Sequence, residues 1–248
     1  MIIVVRARQP GVNPKMSLDT GDRGRRIIHA GIQGAGCSIP ADLEGGDFFA
    51  FIPRGEDGLI VAIGDVMGKG MRAAGQRKDL CTVLYSCTGK DLSLLEIVNQ
   101  LAATAGKRLY RAGSFATLGL ISYERQHNCI TCLSAGHPSP VIFSGQNIYM
   151  PRVRGVALGF LDEYQGTGPE QFILSRGDVV VMYTDGLIEA RNAGGQHYGL
   201  NRLTGIVAAN AGLDAGDLQD VILRDLFTFT GCKQQRDDVT LVILKRDQ

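Results

Sequence analysis

Short apolar runs bounded by turn-forming residues alternate along this chain with longer stretches whose apolar positions repeat at helical spacing. The runs over 27–32, 47–53 and 59–63 predict strands, and 54–58 predicts a turn that makes the last two a hairpin. Helical spacing over 71–87 and 92–109, interrupted at Thr88, Gly89 and Lys90, predicts a helical hairpin. Ser93 and Glu96 form a capping-box signature ahead of its second helix. Strands are expected again over 116–122, 129–134, 141–143 and 179–184, helices over 200–211 and 218–229, and a closing strand over 239–244. Strands joined mostly by short turns, with helices bunched in pairs, argue for an α+β fold with antiparallel sheets. Residues 1–26, strand-like at 2–5 and basic at Arg23, Arg25 and Arg26, read as a lead-in to one domain over 27–248.

Hairpin geometry brings chemistry together. The turn centres near Glu56, and Asp47 and Asp65 each lie nine residues from it. Residues equidistant from an antiparallel turn face each other, so these two carboxylates should meet at the open end of the ladder. Like charges so opposed are destabilising unless a cation sits between them. The same logic applies to Asp185, which ends one strand, and to Asp237 and Asp238, which precede another. Asp beside Gly at a strand end is also ordinary turn chemistry, but convergence at one sheet edge argues for more. Carboxylates without His or Cys partners suit hard cations such as Mg²⁺ or Mn²⁺.

Composition narrows the classes. Lys plus Arg at 26 against Asp plus Glu at 25 leaves a net charge of +1, so no global field favours nucleic acid. The longest apolar runs, such as 59–63 and 179–183, fall far short of the roughly 20 residues a membrane span needs, and the N-terminus lacks a signal-peptide pattern. Six irregularly spaced cysteines in a chain of 248 residues read as free thiols in a reducing, cytoplasmic setting.

Several motifs invite other readings. Gly64 to Gly70 lacks the spacing and the Lys-Ser/Thr of a P-loop. Cys129 and Cys132, with His127 and His137 nearby, have a zinc-like look, but positions three apart on a strand face opposite sides, which favours structural cysteines. His137, before Pro138, is either a turn residue or a general acid. Lys107, Arg108 and Arg111 close a helix, where basic groups complement its dipole.

Taken in order, Gly45-Gly46-Asp47-Phe48-Phe49, Gly64-Asp65-Val66-Met67-Gly68-Lys69-Gly70, Phe115-Ala116-Thr117, Ala135-Gly136-His137-Pro138, Leu158-Gly159, Tyr183-Thr184-Asp185-Gly186, Glu189-Ala190-Arg191-Asn192 and Arg236-Asp237-Asp238-Val239-Thr240 form a series that resembles the PPM (type 2C) family of metal-dependent protein phosphatases, in its bacterial SpoIIE/RsbU-like branch. The resemblance runs from about Ile27 onward. It implies a sandwich of two antiparallel sheets flanked by helix pairs, with two Mn²⁺ or Mg²⁺ ions at one edge. It further implies Asp65 as the bridging ligand, the Val66 carbonyl and Asp47 on one ion, Asp185 and Asp237 on the other, and Asp238 as an additional ligand. A metal-activated water would attack phosphoserine or phosphothreonine, with a phosphorylated anti-anti-sigma (STAS) protein as the implied substrate. Ala50, Met67 and Ala112 depart from positions where members carry an acidic residue, a His and a third-metal carboxylate, so two ions are expected and the leaving-group acid is open. The alternative is a catalytically weak relative that binds a phosphoprotein as a regulatory module. The helical hairpin that starts directly after Gly70 is either a lever on the site or a purely structural pair.

Overall fold

The computed structural model of the protein describes residues 24–88, 90–231 and 235–247; the strand-like run at 2–5, Arg23 and Gly89 lie outside the described residues. Arg25 and Arg26 belong to the first strand, β1 (Arg25–His29), which turns at Ala30 (φ 53°) and Gly31 (φ 80°) into β2 (Ile32–Ile39). The run over 27–32 is therefore a hairpin and not one strand, because two successive positive φ values reverse the chain within it.

β3 (Phe48–Arg54) and β4 (Gly58–Val66) form the expected hairpin, pairing Phe48 with Gly64 through Arg54 with Gly58. Two helical segments follow. In α1 (Gly70–Thr88), Ala73, Arg77, Leu80, Cys81, Leu84 and Cys87 are buried along one face. α2 (Leu94–Leu101) opens on the capping box: Ser93 Oγ accepts from Glu96 N–H, and Glu96 accepts from Ser93 N–H at 2.8 Å. The helix expected over 92–109 widens into a π-helical turn at Ala102–Gly106 before α3 (Lys107–Arg111). Small residues there allow close approach, since a Cβ on Gly106 would already sit 3.4 Å from the Gly159 amide.

The remaining strands are β5 (Ala116–Glu124), β6 (Cys129–Ala135), β7 (Val141–Ser144), β8 (Asn147–Tyr149), β9 (Glu170–Ile173), β10 (Val179–Tyr183) and β11 (Val239–Arg246). Helices α4 (Asp185–Glu189), α5 (Leu200–Asn210) and α6 (Ala215–Thr230) lie between the last two strands. Asp214 caps α6 and Gly231 ends it in the left-handed region at φ 69°.

One sheet runs β1-β2-β11-β10-β7-β8 and the other β3-β4-β5-β6-β9, with antiparallel pairing throughout both. Inward-facing residues of both, including Phe51, Val61, Ile121, Val180 and Val242, make the central core. The outer face of the β3 sheet is covered by α1 to α3, and that of the β2 sheet by α4 to α6. The result is the helix–sheet–sheet–helix sandwich that the resemblance implied. Among the described residues all five cysteines are free, with Cys132 buried between the sheets, Cys129 half-buried and His127 exposed beside Glu124, so no zinc site forms.

Candidate metal centre

Each sheet delivers carboxylates to the same end of the sandwich. Asp65 is the second-last residue of β4 and pairs with Thr117 of β5. Continuing the β3/β4 register by one step places Asp47 opposite it, as hairpin geometry required. From the other sheet, Asp185 opens α4 directly after β10, and Asp237 and Asp238 lead into β11, its antiparallel partner. The negative charges of Asp185, Asp237 and Asp238 all act on Asp65, and those of Asp65 and Asp238 act on Asp47.

Asp47 is buried, and its Oδ2 accepts hydroxyl hydrogen bonds from Thr184 at 2.8 Å and Thr240 at 2.7 Å. These threonines sit at the ends of the β10 and β11 segments, so they tie an aspartate of one sheet to the strands of the other. Burial, followed by the charge of Asp65, pushes the Asp47 carboxyl well above the usual carboxylate range. Burial and then the charges of Asp185, Asp237 and Asp238 push Asp65 up to about 6. Asp185 is raised too, by burial first and then by Glu189 and Asp237. Burial and mutual repulsion thus both oppose ionisation of these carboxyls together.

Backbone oxygen joins the set. Gly46 packs so closely that a Cβ there would lie 2.2 Å from the Val66 carbonyl oxygen and 3.2 Å from Asp65 Oδ1, so both oxygens lie against the same residue of the loop. A cleft of about 290 Å³, lined by Asp65, Asp185, Thr117, Thr184 and His137, separates the two sides.

Both carboxylate oxygens of Asp238 accept backbone hydrogen bonds. Its Oδ1 accepts from Ala41 N–H and its Oδ2 from Gly46 N–H, both at 2.8 Å, which clamps the 41–47 loop. Asp237 is exposed and pairs with Lys69 Nζ at 3.3 Å; the same ammonium reaches the Arg236 carbonyl. Among the described residues, no three His, Cys, Asp or Glu side chains stand close enough to cage an ion by themselves. The all-oxygen donor set nevertheless fits Mg²⁺ or Mn²⁺, which complete their shells with water.

His137 is buried, with Nδ1 2.8 Å from Thr117 Oγ1. Burial drives its pKa down to about 4; the Tyr183 carbonyl favours the charged ring but makes no well-aligned bond to Nε2. It is a neutral imidazole at neutral pH. The hydroxyls of Thr184 and Thr240 were quoted within sequence motifs without a role. Their place beside strand-end aspartates was the available signal.

Comparison with known proteins gives the chain a family and a fold. The family model for stage II sporulation protein E (SpoIIE) matches residues 55–247. Phosphoserine phosphatase RsbU of Bacillus subtilis is 26% identical over 213 residues, covering 84% of this chain and 62% of RsbU, so the chain spans less than two thirds of that relative. Among solved structures, the RsbU and RsbW domains of Rv1364c from Mycobacterium tuberculosis superpose with a TM-score of 0.74 at 22% identity, over 94% of this chain and 64% of that one. RsbX in complex with magnesium superposes with a TM-score of 0.65 at 16% identity, over 90% and 98% of the two chains. These structural likenesses establish the fold.

Proposed function

The chain belongs to the SpoIIE family, and from that membership we propose that it is a metal-dependent protein phosphatase acting on phosphoserine or phosphothreonine. The observation that carries this reading is the meeting of Asp47, Asp65, Asp185 and Asp237 with the Val66 carbonyl at one end of the sandwich, drawn from both sheets. In this reading Asp65 would be held in common by the ions, with Asp47 and the Val66 carbonyl as further ligands from its own sheet and Asp185 and Asp237 as ligands from the other. When bound, Mg²⁺ or Mn²⁺ supplies a water of lowered pKa and neutralises the phosphoryl oxygens. Thr184 and Thr240 fix the Asp47 carboxylate in place, and Asp238 holds the loop that carries it, standing behind the ligands instead of among them. The cleft between Asp65 and Asp185 leaves room for a phosphoryl group. Met67 has no proton to give and His137 is held neutral, so neither supplies a strongly acidic proton to the leaving oxygen.

The name of the relative RsbU supports phosphoserine as the reacting group, and the magnesium of the neighbour RsbX supports Mg²⁺. The cleft is open and bears no aromatic lining, which favours a side chain presented on a folded protein over a free metabolite. A phosphorylated STAS protein is the substrate we propose. Retention of all four carboxylates favours catalysis over a purely phosphoprotein-binding module.

Hydrolysis of p-nitrophenyl phosphate and of a phosphorylated STAS protein, measured with Mn²⁺, with Mg²⁺ and after EDTA, tests the reading. Turnover should require the ion, and Asp65→Asn and Asp185→Asn should each lower kcat by about two orders of magnitude. Full activity in EDTA, or wild-type rates in either variant, overturns it.

A further inference from the structure

A second cleft, of about 440 Å³, shares Asp237 with the acidic edge and runs between the end of α4 and the residues leading into β11. Arg191 and Arg236 line it; both are exposed, and neither pairs with a carboxylate among the described residues. Gln235 lines it too, with an amide whose Oε1 and Nε2 are both buried and have no hydrogen-bond partner among the described residues. A buried amide left in that state is costly, and a ligand that satisfies it recovers the loss.

One wall of this cleft is built to be rigid. Asn192 Oδ1 accepts from Gln196 N–H at 3.0 Å, its Nδ2 donates to Gln196 Oε1 at 2.9 Å, and Asn192 N–H donates to the Gln196 carbonyl at 3.0 Å. Tyr198 N–H then ties the turn back to the Ala190 carbonyl at 2.8 Å. Two carboxylates also line the cleft: Asp237 pairs with Lys69 at 3.3 Å, and the charge of Glu189 acts on Asp185. The Arg191 guanidinium is left on this preorganised wall and that of Arg236 on the facing segment that leads into β11, and the planar fork of arginine matches a carboxylate.

We propose that this cleft is a specificity subsite for an acidic side chain, Asp or Glu, lying a few residues from the phosphorylated serine of the substrate protein. Arg191 and Arg236 receive the carboxylate, and Gln235 bonds to the substrate backbone beside it. Because Gly186 lines this cleft and its chain neighbour Asp185 lines the other, a short extended segment spans the two, at roughly 3.3 Å per residue. The inference rests on the phosphatase reading and adds to it a rule for which phosphoserines are taken.

The test uses a phosphoserine peptide set in which each flanking position carries Asp, Ala or Lys in turn. With the Mn²⁺-loaded protein, kcat/KM should be roughly ten-fold higher for Asp than for Ala at one position, and lower still for Lys. Arg191→Ala and Arg236→Ala should bring the Asp-to-Ala ratio near one, and Arg191→Glu should shift the preference toward Lys; circular dichroism confirms that each variant is folded. Equal efficiency across the set, or an unchanged ratio in the folded variants, overturns the subsite. Fluorescence anisotropy with the unphosphorylated Asp and Ala peptides separates the two readings. Absent turnover on every substrate with Arg191-dependent binding of the Asp peptide sinks the phosphatase and keeps the subsite, whereas turnover without that binding difference does the reverse.

Discussion

The guanidinium of Arg77, buried within α1, donates to the backbone carbonyl of Asp47 at 3.3 Å. Its other branch reaches Glu44 Oε2 at 3.4 Å, and the Gly70 amide at the start of α1 donates to the Glu44 carbonyl at 3.2 Å. The helix and the loop that carries Asp47 are thus fastened at two points, which is how movement of the helical hairpin would reach the site. Arg77→Met keeps most of the aliphatic stem but removes these donors. It should cost about 1–3 kcal/mol in urea unfolding and weaken Mn²⁺ binding several-fold by calorimetry. A stability loss with unchanged Mn²⁺ affinity would assign Arg77 to packing alone.

The raised carboxyls make metal-free stability depend on pH in a definite direction. A carboxyl whose folded pKa exceeds its unfolded value lets the folded state hold more protons, so stability falls as pH rises between the two values. For Asp65 that interval runs from 3.8 to about 6. In EDTA, the Tm of Asp65→Asn relative to wild type should therefore climb as pH rises from about 4 to 7 and level off above. Added Mg²⁺ should raise the wild-type Tm more at pH 7 than at pH 5, because the ion competes with protons for the same oxygens. A Tm difference that stays flat across this range would remove the electrostatic account of the edge.

Much of this site was legible because a β-hairpin is a ruler: the turn near Glu56 fixes which residues face each other, and Asp47 and Asp65 fall opposite in the observed register. The convergence of Asp185 with Asp237 followed from the same argument applied to β10 and β11. Less could be read where the determinant is tertiary. The break within 27–32 depends on Ala30 adopting positive φ, which its side chain does not advertise. β8 is exposed at every position and β9 is an edge strand of alternating burial, so neither carries a strong apolar signal. The π-helical turn at Ala102–Gly106 answers to Gly159, a residue far along the chain. Asp238 enters the ligand set through the family resemblance, and only its hydrogen bonds to Ala41 and Gly46 reveal the clamp.

That clamp separates two neighbouring aspartates by experiment. Asp238→Ala leaves the amides of Ala41 and Gly46 unpaired, with a loss of about 1–3 kcal/mol in chemical unfolding. Asp238→Asn keeps one acceptor oxygen for the loop and should hold Mn²⁺ within about three-fold of wild type, whereas Asp237→Asn should weaken it at least ten-fold. Equal losses of Mn²⁺ affinity in the two Asn variants, measured by calorimetry, would return Asp238 to the ligand set.

Gly46 offers the sharpest test of the carbonyl ligand. Its missing side chain is what lets the loop lie against β4, and a Cβ would meet the Val66 carbonyl oxygen at 2.2 Å, far inside contact distance. The obstacle is backbone, so no rotamer change relieves it; the loop or the Val66 peptide must move. Either movement also strains the 3.3 Å hydrogen bond from Val66 N–H to the Gly46 carbonyl. Gly46→Ala should therefore weaken Mn²⁺ binding ten-fold or more and lower kcat by about two orders of magnitude, with the far-ultraviolet circular dichroism spectrum intact. Gly75, inside α1, is the matched control: a Cβ there meets nothing within 4 Å. Gly75→Ala should stabilise the helix by up to about 1 kcal/mol and leave Mn²⁺ affinity unchanged. If Gly46→Ala binds Mn²⁺ as tightly as Gly75→Ala does, the Val66 carbonyl is not a ligand and the ion must be held by side chains and water alone.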